Sequence, residues 1–230
     1  ALQQLLAPAG ILLRNDSPLR ALEGLSQEDE TIGKVPDCID LEEGGAQFSV
    51  PLGSGQKTGW FYDQRSNRQM MHKYVRGRQV LDVFSYIGAW GVQAAVAGAA
   101  GVHCVDASAA ALDNLQHNAA ASGVTDRVQT TTGDAIDVLR DLQGQGRTYD
   151  VIVVDPPAFI KRRKDIKRGE QGYLRLNRLA LQLLVPGGIL MVGVPRRRRP
   201  LNWGRWVAWR FSASSTLPAR TQVRLREALV

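Results

Sequence analysis

The sequence predicts an α/β protein with a doubly wound, mostly parallel sheet and a small β-containing appendage at its N-terminus. From residue 78 onward, apolar β-rich runs alternate with helix-like segments, which is typical of parallel strands covered on both faces. The run 80–91, VLDVFSYIGAWG, predicts a strand, a tight turn and the start of a helix. This arrangement places backbone N–H groups at the carboxyl edge of a sheet, where nucleotide-like ligands bind.

The elements follow one another in a regular order. In the appendage, Pro18 after Ser17 is a helix start signal, and CIDLEEGGAQFSV predicts two strands around a Glu-Gly-Gly turn. The segment 57–75 is first polar and aromatic and then helical, so it is either a lid or an ordinary solvated helix entry. Later strands are predicted in GVHCVD, RVQTTT, YDVIVVD and PGGILMVGV, with helices between them.

We divide the chain into three parts: a β-rich appendage or linker domain (1–57), the domain with the sheet (58–194) and an Arg- and Trp-rich tail (195–230). The tail holds nine Arg and one Glu, so the rest of the chain, with 20 basic and 21 acidic residues, carries a net charge of −1. Whole-chain charge is therefore a weak indication of a nucleic-acid partner. The tail is either an RNA-binding extension or, as we favour, non-native sequence from a shifted reading frame.

The composition argues against several classes of protein. No apolar run approaches the roughly 20 residues of a membrane span, and the first residues lack the features of a signal peptide. Cys38 and Cys104 make neither a disulfide framework nor a metal spacing. We therefore expect a cytoplasmic protein with no membrane partner and no metal.

The turn after the first sheet strand argues against a dinucleotide or a triphosphate as ligand. Its pattern is D-x5-G-x2-G, from Asp82 to Gly88 and Gly91, with larger residues where a dinucleotide site has its early glycines. A P-loop pattern is also missing. Asp82 suggests a ligand with positive charge. A ligand with an ammonium group, a ribose and an adenine but no phosphate fits best, and S-adenosylmethionine is such a ligand.

Acidic residues follow the neighbouring strands at the same sheet edge. Asp106 ends the second strand, where a carboxylate can accept both ribose hydroxyls. Asp134 follows the third strand and could accept from the adenine amino group, although a simple helix cap is an equally good interpretation.

The most specific signal is the run Asp155-Pro156-Pro157-Ala158-Phe159 after a buried strand. Two prolines force the chain out of the sheet and present carbonyl groups and a carboxylate at its edge. A flipped base could bond to these groups and stack on Phe159. Six basic residues follow that could hold RNA phosphates: Lys161, Arg162, Arg163, Lys164, Lys167 and Arg168.

The motifs TGWFYDQRSNR, VLDVFSYIGAWG, VDAS, GDA, DPPAF and GYLRLNRLALQLLVPGGIL together resemble bacterial large-subunit rRNA methyltransferases of the cytosine carbon-5 type. The resemblance covers about residues 30–193. It implies a Rossmann-like class I methyltransferase fold, S-adenosylmethionine as cofactor and rRNA as partner, and we also expect a homodimer. Residues 59–68 are similar to the family motif G-[YFL]-x-x-D-Q-R-x-x-R, which encloses the cofactor.

The residue patterns and the resemblance together assign three groups of residues. Those expected to enclose the cofactor or bind its methionine part are Gln64, Arg65, Arg68, Asp82, Phe84, Ser85, Tyr86 and Gly88. Those expected at its ribose and adenine are Asp106, Ser108, Asp134 and Ala135. Those expected beside the methyl donor and the target base are Asp155, Pro156, Pro157 and Phe159.

Two departures from the family stand out. The N-terminal PUA domain is missing from this sequence, and Val194-Pro195-Arg196 stands in the region of the family's Ser-Cys-Ser motif. Carbon 5 of cytosine becomes nucleophilic only after a Cys thiolate attacks carbon 6. Neither cysteine of this chain is well placed for that role. Two alternatives therefore stay open: transfer to guanine nitrogen 7, or an inactive fragment that binds cofactor and RNA.

Overall fold

The structure of the chain is a computed structural model that describes residues 2–52, 59–160, 165–194 and 205–210. The chain divides into two compact units. The first comprises Ala1–Asp40 and Val50–Trp60, and the second comprises Leu41–Ser49 and Phe61–Val230. The domain boundaries after residues 57 and 194 stay predictions.

The first part of the chain contains short elements. They are α1 (Leu2–Leu6), β1 (Gly10–Leu13), α2 (Pro18–Leu22) and β2 (Glu30–Gly33), followed by β3 (Cys38–Glu43) and β4 (Ala46–Pro51). Strands β1 and β2 pair antiparallel, with Leu13 opposite Glu30, and β3 and β4 form a second two-stranded sheet. Gly44 and Gly45 join β3 to β4 with φ angles of 63° and 79°, which favour glycine.

The second unit is built on one large sheet. Its strands are β5 (Gln79–Val83), β6 (Gly101–Asp106), β7 (Val128–Thr132), β8 (Tyr149–Val154), β9 (Leu184–Val194) and β10 (Arg205–Arg210). Its helices are α3 (Arg65–Val75), α4 (Gly91–Val96), α5 (Ala109–Ala121), α6 (Ala135–Gly144) and α7 (Ile166–Gln182). The strand order is β10-β9-β8-β5-β6-β7, and all neighbours are parallel except β9 and β10. The prediction of a doubly wound, mostly parallel sheet is confirmed.

The sheet is covered on both faces. In β5, four consecutive residues from Val80 to Val83 are fully buried, and the same holds for Val151 to Val154 in β8. Leu139 of α6 and Leu176 and Leu183 around α7 pack into the same core cluster. Continuous apolar strands of this kind have side chains in the core on either side. A charged residue inside such a strand costs free energy unless hydrogen bonds or a ligand stabilise its charge.

The strand order reverses between β5 and β8. The chain continues from β5 outward through β6 and β7, and then returns to the other side of β5 with β8 and β9. In open α/β sheets, ligands bind outside the carboxyl ends of the strands at such a switch point. Asp82 in β5 and Asp155 directly after β8 lie on the two sides of it.

Candidate active site

The turn after β5 has an unusual backbone. Phe84 and Tyr86 have φ angles of 67° and 48°, in the left-handed region that residues with a side chain rarely adopt. The N–H groups of Phe84 and Ser85 both donate to the carbonyl of Val105, at 2.9 and 3.0 Å. Strained turns of this kind persist where the surrounding contacts hold them, and they are concentrated at ligand sites.

Gly88 allows the turn to lie close to α4 and α5. Its φ of 89° is unfavourable for other residues, and a Cβ there would lie 2.7 Å from the side chains of Leu115 and Val92. The predicted tight turn before α4 therefore depends on a glycine at this position.

Asp82 is fully buried, and one of its oxygens has no partner. Its Oδ2 accepts the N–H of Gly91 at 2.8 Å, whereas Oδ1 meets no hydrogen-bond donor among the described residues. The buried hydroxyl of Ser85 is likewise without a partner in the described part of the chain. Burial raises the pKa of Asp82 to about 8, and the negative charges of Asp155 and Asp106 add to the rise against the opposing Gly91 hydrogen bond. Buried oxygens in this state indicate a ligand with hydrogen-bond donors.

Asp106 joins the strained turn to the next helix. Its Oδ2 accepts the N–H of Tyr86 and its Oδ1 accepts the N–H of Ser108, both at 2.9 Å. Ser108 caps α5, because its hydroxyl accepts the N–H of Ala111. The half-buried carboxylate has further lone pairs that can accept hydroxyl groups. The structure therefore places Asp106 and Ser108 beside the turn after β5. A contact of either residue with a ribose stays a prediction.

Asp134 is the N-cap of α6. Its Oδ1 accepts the N–H groups of Ile136 at 2.9 Å and Asp137 at 3.4 Å, so the helix-cap interpretation describes the contacts that the structure records. Ala135 follows as a buried residue in the first turn of α6. A contact between Asp134 and an adenine stays a prediction.

Asp155 is partly buried and is held by a tryptophan. The Trp90 indole N–H donates to its Oδ2 at 3.2 Å, and the Asp155 N–H donates to the carbonyl of Val83 at 3.3 Å. Burial raises the pKa of Asp155 to about 6, and the nearby Asp63 adds to the rise. The Trp90 hydrogen bond and the positive charge of Arg68 lower it. Trp90 was not predicted as a site residue, although an aromatic side chain between Ala89 and Gly91 was a visible signal in the sequence.

Arg68 is a buried anchor of the segment 61–68. It is 1% exposed, and its guanidinium donates to both oxygens of Glu43, at 2.6 and 3.0 Å, and to the carbonyl of Phe61 at 3.0 Å. The Gln93 amide also donates to Glu43, at 3.0 Å. A buried bidentate pair with these extra hydrogen bonds holds its members in place. Glu43 was not predicted as part of the site, because it lies 25 residues before Arg68.

Gln64 and Arg65 lie at the start of α3. The Gln64 side chain accepts from Asn67 at 2.8 Å and donates to Asp63 at 3.2 Å, and Arg65 is exposed. These hydrogen bonds of Gln64 and Arg68 are thus with other groups of the protein. A role of Gln64, Arg65 and Arg68 in binding a cofactor stays a prediction.

The loop 155–160 is fastened to α7 by Tyr173. The Tyr173 hydroxyl accepts the Phe159 N–H at 3.1 Å and donates to the carbonyl of Pro157 at 3.4 Å. The centroids of the Phe159 and Tyr173 rings lie 4.5 Å apart, and the Phe159 ring also meets the Phe84 ring edge to face, with their centroids 6.5 Å apart. Gly172 allows this contact, because a Cβ there would lie 3.1 Å from the Phe159 ring. Phe84 and Phe159, predicted for different parts of the ligand site, are therefore neighbours.

The predicted RNA-binding residues divide into two groups. Lys167 and Arg168 are exposed in the first turn of α7. The other four, Lys161, Arg162, Arg163 and Lys164, lie outside the described residues. Val194 ends β9, and Pro195 and Arg196 also lie outside the described residues.

Neither cysteine has the surroundings of a catalytic thiolate. Cys104 is fully buried in β6, and burial together with the charge of Asp82 raises the pKa of its thiol well above the usual value. A thiol in this state is protonated at neutral pH and is a poor nucleophile. Cys38 is exposed in β3, within the first unit.

Among the described residues, no group of three or more His, Cys, Asp or Glu side chains is arranged to hold a metal ion. None of the helices in the described part of the chain has both the length and the apolar character needed to cross a membrane.

Known proteins resemble this chain in sequence. The profile of a family described as S-adenosylmethionine-dependent methyltransferase matches residues 12–197. Ribosomal RNA large subunit methyltransferase I of Shewanella amazonensis is 40% identical over 181 residues, which is 77% of this chain and 46% of the relative. The enzyme of that name from Aeromonas salmonicida is 38% identical over 83% of this chain and 49% of its own length. The chain thus spans about half the length of these relatives.

Solved structures agree with the sequence comparison. A protein described as a SAM-dependent methyltransferase from Streptococcus mutans has a TM-score of 0.64 at 27% identity, over 73% of this chain and 44% of that one. A methyltransferase solved in complex with SAH has a TM-score of 0.63 at 28% identity, over 72% of this chain and 44% of its own. Fold, motif resemblance and sequence profile lead to one conclusion: the chain belongs to the family of S-adenosylmethionine-dependent methyltransferases.

Proposed function

We propose that this chain carries the methyl-transfer domain of an enzyme that methylates large-subunit ribosomal RNA, with a cytosine as the target base. The observation that carries the proposal is the pair of acids at the switch point, Asp82 and Asp155, both with a raised pKa and both at the carboxyl edge of the sheet. The names of the relatives supply the class of RNA.

The residues after β5 fit S-adenosylmethionine. When bound, this cofactor supplies a methyl group on a positively charged sulfur. Asp82 Oδ1 and the Ser85 hydroxyl would accept hydrogen bonds from an ammonium group, since both are buried and lack a partner among the described residues. Asp106 would hold the ribose, and Asp134 with Ala135 the adenine. Carboxylates at these positions suit a cation and hydroxyl groups and would repel a phosphate.

Asp155 is the residue that we assign to the target base. A carboxylate with a pKa near 6 is largely ionised at pH 7 to 8, so it can accept a hydrogen bond or a proton from the base. Trp90 orients it, and the exposed Pro157 and the ring of Phe159 offer a carbonyl and a stacking surface. Holding donor and acceptor in line is a large part of the rate gain in such a transfer.

A specific observation favours a second candidate, methylation of guanine nitrogen 7. Methylation at carbon 5 of cytosine requires a thiolate, and Cys104 is buried with a raised pKa. A ring nitrogen has its own lone pair and needs no such nucleophile. The sequence holds two cysteines, and the structure describes both. If the target is a cytosine, the thiolate must therefore be that of Cys38 or must come from outside these 230 residues.

The deciding experiment is a methylation assay on unmethylated large-subunit rRNA, followed by mass spectrometry of the nucleosides. 5-Methylcytidine supports the first proposal and 7-methylguanosine the second. No methylated nucleoside, together with normal SAH binding by calorimetry, would overturn both and identify a protein that binds without reacting. The matched control is Asp155→Asn, which keeps the shape of the side chain and removes its charge.

We also propose a cytoplasmic location, because ribosomal RNA is the substrate class of the named relatives. A homodimer is a further proposal, and light scattering of the purified chain tests it. A mass of one chain, 25.2 kDa, would contradict it.

A further inference from the structure

A cleft of about 390 Å³ lies beside the loop that carries Phe159, and neither the proposed cofactor residues of β5 nor Asp155 line it. Ile136 and Phe159 supply apolar and aromatic surface, and Gly169 and Gly172 of α7 complete that part of the lining. The volume lies at the lower end of the range for small-molecule sites, about 300 to 1,000 Å³.

Two arginines of α7 also line the cleft. Arg168 and Arg175 are seven residues apart, which places them about two helical turns apart on one face. Both are exposed, and neither forms an ion pair or hydrogen bond with another residue that the structure describes. A guanidinium group binds a phosphate with two parallel hydrogen bonds, so this pair is suited to an anionic oxygen group.

The acids of the cleft restrict what can bind there. Asp134 and Asp165 also line it. Asp134 uses its Oδ1 to cap α6. Two carboxylates beside two guanidinium groups make the lining neutral overall, which disfavours a polyanion such as a triphosphate. They are suited to the amino group of a base, which donates to carboxylates in nucleic-acid complexes.

We propose that this cleft binds one nucleotide of the substrate RNA next to the target nucleotide. Its two flanking phosphates lie at Arg168 and Arg175, and its base packs against Ile136. The position follows from Phe159, which borders both the cleft and the region that we assign to the target base. The inference rests on the proposed function as an RNA methyltransferase and adds Arg175, which lies outside the basic run 161–168.

The cofactor is the competing occupant, because Asp134 belongs both to the cleft and to the predicted adenine site. S-Adenosylmethionine carries no phosphate, and its sulfonium and ammonium groups are positive. Its one anionic group, the carboxylate of the methionine part, belongs to the end of the molecule that we place at the turn after β5. The two arginines of the cleft would therefore repel the positive groups of the cofactor and would meet no anion of it. The chemistry of the lining therefore favours RNA, and the experiment has a separate arm for the cofactor.

The test measures binding of a fluorescein-labelled, single-stranded RNA 12-mer by anisotropy over a series of salt concentrations. The variants are Arg168→Gln and Arg175→Gln in the full chain, and the matched control is Arg178→Gln. Arg178 is exposed on the same helix and does not line the cleft. We expect each cleft variant to weaken binding about five- to tenfold and to lower the salt slope by about 0.7, the value for one phosphate contact on single-stranded RNA. Arg178→Gln should change neither quantity by more than about twofold.

Three results would overturn the inference: an equal effect in Arg178→Gln, an unchanged salt slope in both cleft variants, or a tenfold loss of SAH affinity by calorimetry. The last result would give the cleft to the cofactor. Thermal melting checks that the variants fold. Because RNA binding and methylation are read separately, a chain that binds RNA through Arg175 and forms no methylated product contradicts the proposed function alone. A chain that methylates RNA with both arginines replaced and its affinity unchanged contradicts this inference alone.

Discussion

Asp82 and Asp155 occupy comparable places in the sheet and have different surroundings. Each lies at the carboxyl edge on one side of the switch point, and burial raises the pKa of each. Asp82 is fully buried, with one oxygen on the Gly91 N–H and the other without a partner among the described residues. Asp155 is partly exposed, is held by Trp90 and lies within the field of Arg68.

The difference separates two functions. A fully buried acid whose pKa is about 8 gains most from a ligand that brings a positive charge to it, because that ligand restores the ionised form. An acid whose pKa is about 6, with an oriented side chain at the rim, is ready to exchange hydrogen bonds with a substrate that comes and goes. We therefore expect substitutions of Asp82 to act on cofactor binding and stability, and those of Asp155 to act on methyl transfer.

The largest expected effect is on methyl transfer. Asp155→Ala should lower the methylation rate by roughly 100-fold or more, the range for losing a positioned acid–base group. SAH affinity by calorimetry should stay within about threefold. A parallel loss of SAH affinity would contradict the division of functions, because it would place Asp155 in the cofactor site.

A smaller effect is expected at the ribose position. Asp106→Ala should weaken SAH binding by roughly tenfold or more, since the lost carboxylate both accepts hydrogen bonds and ties Tyr86 to Ser108. Asp113→Ala, an exposed acid on α5, is the matched control. Unchanged affinity in the Asp106 variant would remove the ribose assignment.

The pKa of Asp82 predicts an unusual pH dependence of stability. The folded pKa of about 8 lies above the ordinary value near 4, so between these limits the folded state binds more protons than the unfolded state. The free energy of unfolding of the ligand-free chain should therefore fall as pH rises from about 4 to about 8. Asp82→Asn removes this pH dependence, so relative to the parent it should gain up to about 4 kcal/mol between pH 5 and pH 8, since each pH unit in this range changes the free energy of unfolding by about 1.4 kcal/mol.

Urea unfolding at pH 5 and pH 8 measures this effect, with Asp113→Asn as the control for general charge effects. Equal slopes in the parent chain and Asp82→Asn would show that Asp82 has an ordinary pKa in the folded state. Asp82 would then be ionised without a ligand, and a positively charged cofactor would gain no special stabilisation from it.

Local patterns predicted much of the fold and the positions of the acids. Continuous apolar runs predicted parallel strands, and Asp106 and Asp155 follow strands at the expected edge, because strand, turn and helix are specified by neighbouring residues. The partners that tune these acids were not predictable. Trp90 meets Asp155 across 65 residues, and Glu43 meets Arg68 across 25. Such pairs depend on packing of distant elements, and the alternation of apolar residues contains no information about them.

The contacts of Tyr173 with the loop 155–160 were likewise not predicted from the sequence. Replacing this tyrosine should have the smallest effect on methyl transfer among the substitutions proposed here. Its hydroxyl bridges the Phe159 N–H and the Pro157 carbonyl, while its ring packs on Phe159. Tyr173→Phe keeps the ring and removes the two hydrogen bonds of the hydroxyl. The loop should therefore become more mobile while its mean position stays the same. We expect kcat for methylation to fall about two- to fivefold, with KM for RNA and SAH affinity nearly unchanged. Tyr74→Phe, on α3, is the matched control. A rise in KM for RNA with kcat unchanged would mean that Tyr173 serves RNA binding. It would then have no part in the methyl-transfer step that we assign to Asp155.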